Sequence, residues 1–179
     1  YSIIAYLRTL PAVESTVAKS EAKFPVSVIM HTMPQPAQPV ERPDPADEVA
    51  YGAYLANAAS CTECHTKSVK GERVGEPFAG GFEFGMPTGA MLRSSNITPS
   101  EDGGIGRWTK EQFIERFKLY ADSSYVPAAI NWERGDMQTV MPWVMYATMT
   151  EQDLGAIYTY LRTVKPVDGT VEKWTPPGS

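Results

Sequence analysis

The feature that most constrains this chain is Cys61-Thr62-Glu63-Cys64-His65, where its only two cysteines lie beside one of its two histidines. C-x-x-C-H is the attachment signature of c-type haem. Each thiol of such a motif forms a thioether with one vinyl group of the porphyrin, and the histidine that follows binds the iron. The motif therefore predicts a covalent haem c, attached through Cys61 and Cys64, with His65 as one axial iron ligand.

Two other uses of the motif are less consistent with the sequence. A structural zinc site needs four ligands, but His31 is the only other histidine and no further cysteine exists. A redox-active dithiol pair is expected beside a βαβ pattern, and the sequence contains no such pattern. Haem attachment is the interpretation that both observations favour.

Length and charge limit the remaining possibilities. At 179 residues the chain has room for one ordinary domain and an additional arm. A net charge of −5, a pI of about 5.1 and the lack of a basic run argue against a nucleic-acid partner. No stretch approaches the length of a membrane span, and no secretion signal is visible. Because bacteria attach haem c outside the cytoplasmic membrane, we expect a periplasmic or periplasm-facing protein. Membrane association is expected only through an upstream segment or a partner.

Residues 1–45 are predicted to form an arm that precedes the main domain. Within it, Tyr6-Leu7-Arg8-Thr9 recurs as Tyr160-Leu161-Arg162-Thr163, each time at the end of an amphipathic helix and shortly before a proline. An internal repeat explains this better than coincidence, and residues 1–11 would then be the last helix of an earlier, similar domain. Residues 24–33 are apolar enough to be buried, as a strand or an extended segment. A stiff connector follows, marked by five prolines: Pro34, Pro36, Pro39, Pro43 and Pro45.

The main domain, residues 46–168, is predicted to begin with a helix that delivers the chain into the haem motif. Asp44 is expected as its N-cap, with Pro45 at the first helical position. The helix should end near Ala59. It carries a face of small residues, which suits close packing against the last helix, and these residues are Val49, Gly52, Ala53 and Ala56.

Two further helices are indicated by their first turns. Thr109 with Gln112 forms a capping box that opens one helix, and Thr150 is a capping threonine before the acidic first turn, 151–153, of the last helix. Glycine-rich or irregular loops connect these elements, and residues 169–179 form a tail. The pattern predicts an all-α fold of three or more helices and long loops wrapped around one haem, without a convincing sheet. Loops of this length fit a compact domain here because the cofactor replaces part of the side-chain core.

At this level the chain resembles the cytochrome c family, in particular the cytochrome c domains that accompany bacterial membrane-bound alcohol and sugar dehydrogenases, and related dihaem proteins. The matching stretches lie within residues 47–167: Cys61–His65, Phe78-Ala-Gly-Gly81, Ser95-Asn-Ile-Thr-Pro99, Gly104-Ile-Gly-Arg-Trp108, Met141-Pro-Trp143 and Ala156-Ile-Tyr-Thr-Tyr-Leu-Arg162. The resemblance implies the cytochrome c fold, whose first and last helices cross near Gly52 and Tyr160. It also implies that Asn96 and Trp108 lie at the haem edge and steady a propionate.

The second axial ligand is not fixed by the residues alone. Met33, Met86 and Met141 each precede a proline, which keeps the residue in an extended conformation suited to a ligand loop. Met141 lies before the last helix, far along the chain from His65, and it falls on the family's Met-Pro position together with Pro142. Met141 is therefore the predicted ligand, with Met137, Met33 and His31 as alternatives.

His/Met ligation fills both axial positions and raises the reduction potential, which indicates a one-electron carrier and not an enzyme. The expected donor is a dehydrogenase, and the expected acceptor is an oxidase, another cytochrome or a quinone. One alternative is a haem enzyme or ligand sensor with a labile sixth position. Another is an interaction domain in which the haem is chiefly structural. His65 is also expected to donate its second ring N–H to a backbone carbonyl that the sequence does not identify.

Overall fold

The computed structural model of the chain describes residues 2–36, 38–131 and 134–178. It contains two compact units, Tyr1–Val40 and Glu41–Ser179. No helix in the described ranges has both the length and the hydropathy needed to cross a membrane. The predicted limits of the arm, main domain and tail stay predictions.

The first unit contains two short helices, α1 (Ser2–Leu7) and α2 (Val26–Ile29). The helix expected within residues 2–11 is therefore present. The expectation for residues 24–33 was wrong, since they form one helical turn and not a strand, and Phe24 is 83% exposed. A strand needs a neighbouring strand for its backbone hydrogen bonds, and the described residues of this unit offer none.

Two helices form the frame of the second unit: α3 (Glu48–Ala58) and α7 (Glu151–Leu161). They cross at Gly52, where an added Cβ would lie 2.0 Å from the carbonyl oxygen of Ala156 and 2.9 Å from Cβ of Tyr160. No side chain fits in this space. The predicted packing of α3 against the last helix is confirmed at Gly52, and Ala56 is buried as well, but Val49 of the predicted face is 41% exposed.

The predicted N-cap of α3 was wrong by one turn. Asp44 accepts a hydrogen bond from the Ala46 N–H at 2.9 Å and closes a turn that ends at Asp47. The helix begins after this turn, and the side chain of Asp47 caps it by accepting from the Ala50 N–H at 3.0 Å. Both aspartates are favoured cap residues, so the choice depended on the backbone turn that Pro45 initiates.

Between these two helices lie α4 (Cys61–Cys64), α5 (Lys110–Lys118), the 3₁₀ turn Leu119–Ala121 and α6 (Trp143–Tyr146). The capping box predicted at Thr109 and the capping threonine predicted at Thr150 are both present, and Thr150 forms a full capping box with Asp153. The core lies where α3, α5 and α7 meet the loops, and its buried members are Ala56, Phe78, Ile105, Phe113, Ile157 and Leu161. The domain is thus helical, as predicted.

Short strands were not expected, and the structure contains five in its described part. Strands β1 (Ser68–Val69) and β2 (Glu72–Arg73) form a hairpin. Strand β4 (Met91–Arg93) lies between β3 (Glu83–Gly85) and β5 (Trp174–Thr175) in an antiparallel sheet. The predicted tail at 169–179 therefore contains a strand that pairs with the body of the domain. At two or three residues each, these strands do not change the fold class.

Candidate haem site

The haem motif lies on a single helical turn. Ser60, with a left-handed φ of +55°, ends α3 and turns the chain into α4, and the His65 N–H then bonds to the Cys61 carbonyl at 2.9 Å. This turn brings Cys61, Cys64 and His65 together, as the motif predicts. Cys61 packs against the core whereas Cys64 is exposed, and burial raises the pKa of the Cys61 thiol to about 11.

His65 is oriented by a backbone carbonyl. Its Nδ1 lies 2.8 Å from the carbonyl oxygen of Ser95. Because a carbonyl only accepts, Nδ1 carries the proton and Nε2 keeps a lone pair that can bind iron. Burial lowers the pKa of His65, and the bond to Ser95 opposes this only in part, so the ring is in the neutral form that binds metals. The carbonyl that the sequence left unidentified is that of Ser95.

The peptide that follows Ser95 is held in place by Gly80 and Gly81. The Gly80 N–H donates to the His65 carbonyl at 2.7 Å, and the Gly81 N–H donates to the Ser94 carbonyl at 2.9 Å. At Gly80, which has a φ of +76°, an added Cβ would lie 2.5 Å from the Ser95 carbonyl carbon. The sequence indicated only a loop at this glycine pair.

Asn96 is buried next to Ser95, and the protein itself uses its amide group. Its Nδ2 donates to the Val167 carbonyl at 2.7 Å, while its Oδ1 accepts from the Thr98 N–H at 2.9 Å and from the Thr98 hydroxyl at 2.8 Å. These bonds tie the loop after Ser95 to the segment after α7. One amide hydrogen of Asn96 is left for a further acceptor, so a contact with a propionate stays a prediction.

Trp108 lies at the start of α5 and is 37% exposed. Its carbonyl accepts a hydrogen bond of 2.6 Å from the Tyr158 hydroxyl, which attaches the loop before α5 to α7. Trp108 lines an open surface groove together with residues of α5. The structure records no contact between Trp108 and His65, and its role toward a propionate also stays a prediction.

Met141 and Pro142 immediately precede α6, and the Trp143 N–H bonds to the Met141 carbonyl at 2.8 Å. Met141 is half-buried and lines an open, apolar cavity of about 340 Å³. At the end of α6, the Tyr146 hydroxyl donates to the Ala59 carbonyl at 2.7 Å, two residues before Cys61. Burial raises the pKa of Tyr146, and the neighbouring Cys61 and Cys64 raise it further. The helix that follows Met141 thus lies beside the attachment turn.

An aromatic cluster fixes the start of α6. The Trp143 ring stacks on Tyr120 with 5.2 Å between centroids and an interplanar angle of 8°, and it lies 5.3 Å from Phe117. The Arg116 guanidinium lies 4.4 Å from the centre of the Trp143 ring and 5.4 Å from that of Tyr120. Lys118 donates to the carbonyls of Ala147 and Met149 at the other end of α6. These contacts attach the chain after Met141 firmly to α5 and the 3₁₀ turn.

Among the described residues, neither Met141 nor the alternative ligand Met137 makes a recorded contact with His65. Met33 and His31 belong to the first unit. Met137 lies in the irregular segment before Met141 and is 50% exposed. These alternatives therefore remain open beside Met141.

The residues present fit a covalently attached haem c. One turn offers two thiols and a neutral imidazole whose Nε2 is free to bind a metal. The described residues of the segment 122–142 form no helix or strand, and several of its apolar side chains are exposed, Val126 by 83%. Exposed apolar groups at this position are suited to cover a flat, apolar macrocycle.

Comparison with known proteins agrees with a haem c site formed by two thiols and one imidazole. The sequence model of the cytochrome c family, described as "Cytochrome c", matches residues 49–165. The cytochrome subunit of fructose dehydrogenase from Gluconobacter japonicus is 37% identical over 76% of this chain and 26% of its own length. The cytochrome c subunit of a quinone alcohol dehydrogenase from Gluconacetobacter polyoxogenes is 35% identical over 66% of the chain and 22% of its own length.

A third relative, the cytochrome c subunit of gluconate 2-dehydrogenase from Pantoea cypripedii, is 36% identical over 66% of the chain and 24% of its own length. The chain thus spans about a quarter of the length of the curated relatives it matches. The family match covers the attachment turn, His65, Ser95 and Met141 together. The chain belongs to the cytochrome c family, with covalently attached haem c as its cofactor and electron transfer, not catalysis, as the role of the domain.

Proposed function

We propose that this domain carries one electron at a time through one haem c, attached to Cys61 and Cys64 and ligated by His65 and Met141. The observation that carries the proposal is the 2.8 Å contact between His65 Nδ1 and the Ser95 carbonyl. This contact fixes the tautomer and leaves Nε2 with a lone pair for the iron, as a metal-binding histidine requires. The bound haem supplies the one-electron couple.

Three features support Met141 as the second ligand. It is half-buried in an apolar setting, which suits a thioether sulfur. It lies in a bend outside any helix, directly before Pro142, which disfavours a helical conformation at the residue that precedes it. The α6 helix that follows is bonded through Tyr146 to Ala59, directly before the attachment turn.

The proposed ligands and Ser95 each affect a property of the haem that electron transfer depends on. The thioether of Met141 favours ferrous iron and so raises the reduction potential. The Ser95 carbonyl strengthens His65 as a ligand by accepting its proton in a hydrogen bond. Two protein ligands leave no coordination position for oxygen, peroxide or a substrate, which separates a carrier from a haem enzyme.

The donor is proposed to be a dehydrogenase, and the acceptor an oxidase, a quinone or another cytochrome. The support comes from the relatives, which are named as cytochrome subunits of fructose, alcohol and gluconate 2-dehydrogenases. A periplasm-facing location follows from the same reasoning, because haem c is attached outside the cytoplasmic membrane. Redox encounters of this kind use small, transient interfaces.

The test replaces the proposed ligand and compares it with a nearby methionine. Met141→Ala is expected to keep covalent haem but to lose the methionine–iron absorption band of the ferric protein. Met145→Ala is the matched control, because Met145 lies on α6 and is 74% exposed, and its band should be unchanged. A band that persists in Met141→Ala would show that another residue is the ligand.

A second measurement separates the carrier from the haem enzyme or ligand sensor. Carbon monoxide is added to the ferrous wild-type protein, and the absorption spectrum is followed over time. A closed coordination sphere predicts slow binding or none. Rapid binding would favour the sensor or enzyme and contradict the carrier.

A further inference from the structure

Residues 172–177, which we name the clasp, lie between the two loops that hold the proposed iron ligands. On one side β5 of the clasp pairs with β4, with Met91 opposite Thr175 and Leu92 opposite Trp174. The Arg93 N–H donates to the Lys173 carbonyl at 2.8 Å, and Arg93 Nη1 donates to the Thr175 hydroxyl at 2.8 Å. The clasp is therefore a bonded part of the sheet.

Strand β4 leads directly to the residue that orients His65. Ser94 follows β4, and its N–H donates to the Phe82 carbonyl at 3.1 Å while its hydroxyl accepts from the Phe82 N–H at 3.0 Å. The next residue is Ser95, whose carbonyl accepts from His65. On this side, the clasp therefore supports His65 indirectly, through β4 and the Ser95 carbonyl.

On its other side the clasp holds the segment that leads to Met141. Trp174 Nε1 donates to the Gly135 carbonyl at 3.1 Å. Gly135 has a φ of +71°, and an added Cβ would lie 3.0 Å from Cδ of Pro177. The backbone at Gly135 thus packs directly on the clasp, six residues before Met141.

The residues that flank Gly135 are joined by hydrogen bonds. The Asp136 N–H donates to the Asn131 carbonyl at 3.1 Å, the Asn131 N–H donates to the Asp136 carboxylate at 3.0 Å, and Arg134 Nε donates to the same carboxylate at 2.7 Å. The rest of the described segment 122–142 is irregular. Because Arg134 and Asp136 are bonded to each other and to Asn131, a bond to Gly135 also restrains these neighbours.

We propose that the clasp positions Met141 for the iron, with Trp174 as the positioning residue that attaches the Met141 segment to the strand supporting His65. The inference rests on the proposed ligation by Met141 and adds how that ligand is kept in place. A segment with few tertiary bonds opens locally more often than the core. Removing the Trp174 bond should therefore raise the rate at which the methionine leaves the iron.

The test compares Trp174→Phe with wild type in the haem-loaded full chain. Phenylalanine keeps an aromatic ring but has no N–H to donate to Gly135. Cyanide binding to the ferric protein reports loss of the methionine, since cyanide must take its coordination position. We expect the binding rate to rise about two- to tenfold, the range that corresponds to one net hydrogen bond. Far-UV circular dichroism and the methionine–iron band at rest should be unchanged.

Glu172→Gln is the matched control, because Glu172 is exposed and contributes only its backbone carbonyl to Arg93. Its cyanide rate should equal that of wild type. If Trp174→Phe folds poorly, Gly135→Ala tests the same contact from the other side. Alanine is strained at this φ and meets Pro177, so the rate should rise again.

The outcomes separate the two proposals. If Met141→Ala loses the band but Trp174→Phe and Gly135→Ala bind cyanide at the wild-type rate, the clasp is wrong and the ligand assignment stands. An equal rise in Glu172→Gln would also overturn the clasp, since surface charge would then explain the effect. If Met141→Ala keeps the band, the ligand assignment fails and the clasp fails with it.

Discussion

The two sides of the haem site are built in different ways. On the side of His65, the proposed ligand follows a helical turn at the end of α3 and is bonded to the Ser95 carbonyl, and backbone bonds from Gly80 and Gly81 close the surrounding loops. On the side of Met141, the proposed ligand follows an irregular segment that is attached through an aromatic cluster and a hydrogen bond from Trp174. The first side is part of the core, and the second is fastened to it.

Because of this difference, we expect contacts on one side to affect global stability and contacts on the other to affect the rate of ligand exchange. Contacts on the His65 side are shared with the crossing of α3 and α7, so their loss should lower the free energy of unfolding of the whole domain. Contacts on the Met141 side restrain a segment that can open by itself. Their loss should change the rate of ligand exchange while leaving global stability nearly unaltered. The three predictions below test this separation.

The largest effect is expected at the helix crossing. Gly52→Ala places a Cβ 2.0 Å from the Ala156 carbonyl oxygen, a backbone atom that moves only if the helices separate. We expect a loss of about 1–3 kcal/mol in the free energy of unfolding, the usual cost of overpacking. Urea unfolding of the haem-loaded protein, followed by circular dichroism, measures it.

Gly85→Ala is the control for this substitution. Gly85 lies in β3 with no atom within 4 Å of an added Cβ, so its stability should stay within about 0.5 kcal/mol of wild type. If both variants are equally stable, the close crossing is not what holds α3 and its haem motif. A faster cyanide reaction in Gly52→Ala without loss of stability would contradict the separation of the two sides.

The sequence predicted features that depend on neighbouring residues or on residue size, but not those that depend on the backbone or on long-range pairing. The caps at Thr109 and Thr150 depend on residues three apart, and the contact at Gly52 depends on residue size, so local rules found them. The role of Ser95 depends on its carbonyl, which every residue has, so residue type carried no signal. Strand β5 pairs with β4 across some eighty residues of chain, and such long-range pairing is not visible in a two-residue stretch.

The position of the first cap shows the limit of the local rules as well. Asp44 and Asp47 both suit an N-cap, and only the turn between them decides that Asp47 takes this position. On the Met141 side, the Met-Pro motif predicted a ligand loop, but nothing local indicated that Trp174 reaches Gly135. The sequence thus predicted the elements better than the bonds that connect them.

A smaller loss of stability is expected at Tyr51, on the same side as Gly52. The Tyr51 hydroxyl donates to the Asp153 carboxylate at 2.6 Å and accepts from Arg42 at 2.9 Å, which ties α3 to the start of α7. Tyr51→Phe removes both bonds and should cost about 1 kcal/mol at neutral pH. Urea unfolding measures this, with Tyr54→Phe as the control, since the Tyr54 hydroxyl has no partner among the described residues.

The pH dependence of this loss has a definite sign. Burial alone would raise the pKa of Asp153, but hydrogen bonds from Tyr51 and Thr150 outweigh it and lower the pKa below the ordinary 3.8. A carboxylate with a lowered pKa contributes stability above its unfolded pKa and loses it as the pH falls through its folded value. The difference between wild type and Tyr51→Phe should therefore be full at pH 7 and shrink below about pH 4. A difference that stays constant to about pH 3 would mean that ionised Asp153 is not the partner that matters.

The smallest effect on stability is expected from Arg116, on the Met141 side. Its guanidinium lies 4.4 Å from the centre of the Trp143 ring, two residues after Met141. Such a contact contributes about 0.5–1 kcal/mol, and here it restrains only the start of α6. Arg116→Met should therefore raise the cyanide-binding rate of the ferric protein about two- to fivefold with no measurable change in urea unfolding.

Arg116→Lys separates charge from stacking, because lysine keeps the charge but lacks the planar group that stacks on a ring. If stacking restrains the ligand loop, both variants exchange faster than wild type. A change in urea unfolding as large as that of Gly52→Ala would show instead that the Met141 side belongs to the same cooperative core as the His65 side.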